Sequence, residues 1–205
     1  MKKCILFLLL IGVFLPHVRA EMVIISWQGW SFRLNCADTA AEADEFKTLE
    51  LLQGFLTHYD LSPWIRVKEI NIHQGVPCQS NPFTINTSKN NKPLCLLATF
   101  LHEQIHRLEE VYPKRFHRAM DKVRELFPTL PKDLRHESTK AYRHFIVIFF
   151  EFDALKKLLG EKKALAVIGE KTQNRWIYKQ VLENMPKLRQ IYRKHGLTKK
   201  IYVNR

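Results

Sequence analysis

Residues 145–150, FIVIFF, are an unbroken apolar run with His144 before it and Glu151 and Phe152 after it. The wider stretch RHFIVIFFEFDALKKLLG reads as a long helix from about Thr139 to Leu159, stopped by Gly160. Around Glu151 no face of that helix is polar. A helix that is apolar all round belongs inside a core, so Glu151 is expected to be buried. Buried carboxylates are paired or bound to metal. His144 stands seven residues earlier, on the same face. Any fold of this chain must therefore supply partners for an acid and an imidazole in its interior.

A second helix supplies a reason for both. In ATFLHEQIHRLEE, residues 98–110, two histidines stand four apart with a glutamate after the first: His102, Glu103 and His106. The spacing predicts a helix from Leu94 to Val111, opened by Pro93 and ended by Pro113, with Leu97, Leu101, Ile105 and Leu108 in line. Residues four apart lie one turn above each other on one face. His102 and His106 can then offer two imidazole nitrogens to one tetrahedral ion. Glu103 is turned about 100° away, where it does not ligate but can reach a water on the metal. In this HExxH arrangement zinc acidifies the water and the glutamate takes its proton. A catalytic zinc needs a third protein ligand. Glu109, about 10 Å along the helix axis from His102, is too distant. Glu151 suits the role, with His144 near the substrate oxyanion; a buried ion pair from Glu151 to an arginine or lysine is the alternative. The acid–histidine pair His136-Glu137 has polar neighbours and is a weaker source of ligands.

In these features the chain resembles the zincin metallopeptidases, and among them the gluzincins, which carry HExxH on one helix and a glutamate ligand on a second helix downstream. Here Glu151 follows His106 by 45 residues. The resemblance implies a zincin-like α+β fold, one Zn²⁺ held by His102, His106 and Glu151, Glu103 as general base, and peptide or protein substrates. His144, Tyr142 or Tyr178 would stabilise the oxyanion. It also implies that NPFTIN, residues 81–86, is an edge strand along which the substrate lies. Arg107, directly after the motif, departs from the uncharged residue usual there.

The order of the other elements agrees with an α+β layout. MVIISWQGWSFRLN reads as one or two strands, and TAAEADEFKTLELLQGFLTHYD as an amphipathic helix with Phe46, Leu49, Leu52, Phe55 and Leu56 on its apolar face. SPWIRVKEINIHQG reads as a strand broken at Gly75 and Pro77. After the motif only helices are expected: KRFHRAMDKVRELF, the Glu151 helix, EKKALAVIGEK, and NRWIYKQVLENMPKLRQIYRKHG, then a loose tail LTKKIYVNR. Residues 21–205 are expected to form one zincin-like domain, with the sheet and active-site helix in 21–112 and a helical half carrying the third ligand in 113–205.

The first twenty residues are expected to be removed. A basic MKK precedes twelve apolar residues and PHVRA, whose Val18 and Ala20 fit cleavage after Ala20. Twelve is too few for a membrane span, and no later run is longer. Export into a bacterial periplasm or out of the cell follows. Cys36, Cys78 and Cys95 would remain; two could pair, and spacing does not choose which. The formal charge of +13 is concentrated in the C-terminal half, as in LKKLLGEKK. It reads as a solvated basic surface, and with no recognisable binding motif a nucleic-acid partner is not expected. Asn86-Thr87-Ser88 is a formal glycosylation sequon. Two other functions fit the same residues: a catalytically silent zinc-binding module, or a basic exported helical binding protein in which no metal is held.

Overall fold

The computed structural model describes residues 21–36, 39–87 and 92–198. The expected signal segment, most of the expected tail and the side chain of Cys36 lie outside the described residues. The chain is α+β, with a small mixed sheet toward the N-terminus and a mostly helical remainder.

Strands β1 (Glu21–Trp27) and β2 (Trp30–Cys36) form an antiparallel hairpin around Gln28 and Gly29. Both turn residues have positive φ, 46° and 80°, the conformation that lets a two-residue turn follow the twist of its strands. Helix α1 (Thr39–His58) then crosses to β3 (Glu69–His73), which lies parallel to β2. Strands β4 (Gln79–Ser80) and β5 (Phe83–Asn86) complete a sheet of order β1-β2-β3-β5-β4, with β5 parallel to β3 and antiparallel to β4. The period-two pattern puts Phe32, Leu34, Ile70, Ile72 and Ile85 on one fully buried face. Arg33 and Glu69 pair on the other face at 3.7 Å.

The segment 81–86 is therefore not an outer strand as expected. All four residues of β5 are buried, and β4 covers its first half. Asn86 of the sequon is buried too. On α1, Leu49, Leu52 and Phe55 are buried as expected, but Phe46 is 36% exposed, and Glu45 takes the inward position beside it.

Helix α2 (Pro93–His106) carries the histidine pair and packs against α1, β4 and β5 on one side. It stops at the last residue of the motif, where the N–H of the capping Arg107 turns back to the Gln104 carbonyl at 3.3 Å; a short α3 (Leu108–Val111) follows. The single helix expected through Val111 is thus divided. Next come α4 (Pro113–Leu126), α5 (Lys132–Arg135), α6 (Ser138–Leu159), α7 (Glu161–Gly169), α8 (Arg175–Glu183) and α9 (Met185–Lys194). The last two were expected as one helix. Pro186 opens α9 instead, because it lacks an N–H and its ring clashes with a continuing helix. Helix α6 packs against α2, α4, α5, α7 and α8, which explains its apolar surface.

Gln104, fully buried in α2, accounts for another difference. Its Oε1 accepts the N–H groups of Arg66 and Val67 at 2.8 and 3.0 Å, and its Nε2 donates to the Val67 carbonyl at 2.7 Å. Residues 65–67 were expected to begin the third strand. Their backbone bonds to a side chain in place of a neighbouring strand, and β3 starts only at Glu69. The motif helix is thereby fastened to the sheet by one of its own variable positions.

Candidate metal centre

Helices α2 and α6 pass in opposite senses, so that His102 meets Glu151 and His106 meets His144. One ligand atom from each of His102, His106 and His144 falls within 4.8 Å of the others. The three rings are 4.8, 5.0 and 5.5 Å apart between centroids. His102 Nε2 and His106 Nε2 are 3.2 Å apart. Two nitrogens on one tetrahedral zinc, each at 2.0–2.1 Å, are separated by about 3.3 Å. The helical pair already has that spacing, and a ligand atom of the third imidazole lies within 4.8 Å of both.

Two of the rings are oriented from behind. The Nδ1 of His102 is 2.7 Å from Glu151 Oε2, and the Nδ1 of His144 is 2.8 Å from the Lys140 carbonyl. Those oxygens only accept, so each Nδ1 carries a proton, which in a neutral ring leaves the lone pair on Nε2. This is the usual arrangement of a metal-ligating histidine. Burial, with the charges of His102, His144 and Arg143 adding to it, pushes His106 down to about 2. Burial and the neighbouring His102 push His144 down to about 4. Both rings are therefore neutral at ordinary pH, the form in which an imidazole can offer a lone pair to an ion.

Glu103 is buried among these groups. Desolvation raises its carboxyl above the usual range, the Glu151 charge adds to this, and His102 and Lys171 oppose it. A carboxylate made more basic in this way is suited to taking a proton. Glu151 is fully buried. Burial alone would raise its pKa, but the charge of Lys171, the nearby His102 and hydrogen bonds from His102 and Tyr178 outweigh it and hold Glu151 below the usual value. Its Oε2 accepts from the Tyr178 hydroxyl at 2.9 Å as well as from His102. Its Oε1 has Lys171 Nζ at 3.6 Å and no hydrogen bond among the described residues.

The residues expected at the site are thus together, but in different positions. Glu151 lies behind His102, on the nitrogen facing away from His106, and His144 occupies the place expected of Glu151. A carboxylate bonded to Nδ1 cannot share an ion with Nε2 of the same ring, so the geometry places His144, not Glu151, beside the histidine pair. Neither tyrosine stands ready for an oxyanion: Tyr142 donates to the Phe127 carbonyl at 2.8 Å, and Tyr178 donates to Glu151. Arg107 turns to the Ser80 carbonyl and Glu110. Glu109 pairs with Arg143 and with His117. His136 is exposed, and Glu137 pairs with Lys140. The Cys95 thiol donates to Glu170 at 3.1 Å. Lys171, in the connection after α7, supplies the buried ion pair expected as the alternative for Glu151, although no local pattern marks this particular lysine. A groove of about 660 Å³ is lined by Phe152, Leu165, Leu182 and Arg189, among others. It carries none of the convergent chemistry of the histidines, so the histidine cluster is the better candidate for the site.

Comparison of the chain with protein-family models, with curated proteins and with solved structures gives no match. Among the described residues no helix is long and apolar enough to cross a membrane.

The low values of His106 and His144 make the metal-free protein acid-sensitive. Unfolded histidines take up their protons near pH 6.5, while the folded ones stay neutral to about 4 or below. Between those values the unfolded state binds more protons, so stability rises with pH. It is complete above pH 6.5 and is lost as the pH falls below it. At pH 5 the expected loss is about 2 kcal/mol for each histidine. Melting of chelator-treated protein at pH 7 and pH 5 measures this. Equal melting temperatures at the two values would mean that these rings are solvated in solution.

Proposed function

We propose that the protein is an exported zinc-dependent hydrolase of zincin type that cleaves peptide bonds. The observation that carries this reading is the convergence of three imidazoles, two of them with Nδ1 held by an acceptor, beside a buried glutamate one residue from the first. His102, His106 and His144 hold the metal, a ligand set of three histidines in place of the two histidines and glutamate expected from the gluzincin resemblance. Nitrogen ligands of this kind suit zinc among the common divalent ions. When bound, the metal supplies Lewis acidity, polarising the scissile carbonyl and lowering the pKa of a water.

The chain's own residues do the rest. Glu103 takes a proton from the attacking water as its oxygen bonds to the carbonyl carbon. It then returns that proton to the amine nitrogen as the C–N bond breaks. Glu151 keeps His102 in the Nδ1–H form, so that Nε2 stays a ligand. Tyr142 and Tyr178 are committed to the Phe127 carbonyl and to Glu151, so neither hydroxyl serves as the oxyanion donor. The apolar run at residues 4–15 and the small residues before Glu21 support export.

The test is hydrolysis of a mixed peptide library by the mature chain. Cleavage that stops on chelation and returns with one equivalent of zinc is the expected outcome. Cleavage that survives complete metal removal, or no cleavage of any peptide by zinc-loaded protein, would overturn the peptidase reading.

A further inference from the structure

Glu151 is 49 residues from His102 in sequence, yet it faces the histidine's Nδ1 at 2.7 Å. A neutral imidazole in water carries its proton mainly on Nε2, the atom needed here as a ligand. The ring can also turn over about its Cβ–Cγ bond. Both the tautomer and the ring orientation must therefore be imposed, and a single contact to a carboxylate that could itself rotate would not impose them.

The carboxylate is clamped from a third part of the chain. Tyr178 of α8 donates to the same oxygen, Oε2, at 2.9 Å, from a phenol that is only 6% exposed. Lys171, in the connection between α7 and α8, stands 3.6 Å from the other oxygen. It also reaches Thr99 Oγ1 on α2 at 3.5 Å, so it links both helices that carry the histidines. Each oxygen of Glu151 thus faces a different group, one from α8 and one from the connection before it, and together these restrict rotation of the carboxylate.

We propose that Tyr178 and Lys171 are positioning residues of the metal centre: they fix the Glu151 carboxylate, and through it the ring of His102, so that the C-terminal helices set the metal affinity. This rests on the three-histidine reading of the site. It gives α7 and α8 a role beyond packing, because they hold an acid that in turn holds a ligand. Groups behind a ligand in this way change metal affinity by about 10–100-fold when removed.

The experiment uses the mature chain and the variants Tyr178→Phe and Lys171→Met. Zinc affinity is measured by competition with a chromophoric chelator. The tautomer of His102 is read from imidazole nitrogen–proton correlation spectra of the metal-free protein. Wild type is expected to show His102 with its proton on Nδ1. Each variant is expected to bind zinc about 10-fold or more weakly and to show mixed tautomers, while still unfolding cooperatively at a somewhat lower temperature because a buried carboxylate loses a partner. Wild-type zinc affinity and an unmixed Nδ1–H form in both variants would overturn the proposal. Lys171 is partly exposed and in a connection, so its variant decides the matter even if Tyr178→Phe does not fold. If wild type takes up no zinc, the three-histidine reading fails, while the tautomer spectra still decide whether Tyr178 and Lys171 position His102.

Discussion

Exchanging Glu103 for glutamine is expected to lower turnover by about 10²–10⁴-fold, the usual contribution of a general base, while zinc content stays at the wild-type level. Glutamine has the same shape and a similar helix propensity, and position 103 is turned about 100° from His102 around the helix. The variant therefore removes the proton acceptor and leaves the three imidazoles in place. Because the carboxyl is raised by burial and by the nearby Glu151 charge, an amide is also no harder to accommodate there than the acid. Peptide hydrolysis measured alongside metal content separates the two effects. Wild-type turnover in Glu103→Gln would remove Glu103 from the chemistry. Loss of zinc in the same variant would make it a ligand instead.

The second large effect concerns stability. Gln104→Leu should cost about 3 kcal/mol, at about 1 kcal/mol for each of three lost hydrogen bonds. Leucine fills most of the same space, so the loss comes from the backbone of Arg66 and Val67, which keeps two donors and an acceptor with no strand beside them. A lowered denaturant midpoint with an unchanged slope is the expected signature. A loss below about 0.5 kcal/mol would mean that water replaces the glutamine at these partly buried groups.

Much of this molecule is legible in its sequence, and the parts that are not have identifiable causes. Strand structure around Gln28-Gly29, though not whether it is one strand or two, the apolar face of α2 and the stop of α6 at Gly160 follow from local patterns, because residue preference and helical period act over a few residues. The strand expected at 65–67 fails because a side chain 37 residues away takes over its backbone bonds. Spacing also places His144 and Glu151 on one face of α6, two turns apart, but it does not tell which of them meets the free nitrogens of the histidine pair. That depends on the register in which α6 slides along α2, set by packing over the whole interface. The same register puts the acid on Nδ1 of His102 and the imidazole beside His106. Lys171 is less legible still, since a lysine after a short basic helix looks like any other solvated cation until the fold brings it to a buried carboxylate.

The central claim is the identity of the third ligand. The most direct measurement is the zinc content of the mature chain, by elemental analysis, in wild type, His144→Ala and Glu151→Ala, each dialysed against the same buffered low zinc concentration. About one zinc per wild-type chain is expected. His144→Ala should lose nearly all of it, and Glu151→Ala should recover its full content when the free zinc is raised about 100-fold, because its three ligands remain. Full zinc in His144→Ala, with none in Glu151→Ala at any concentration, would contradict the account and make Glu151 the third ligand.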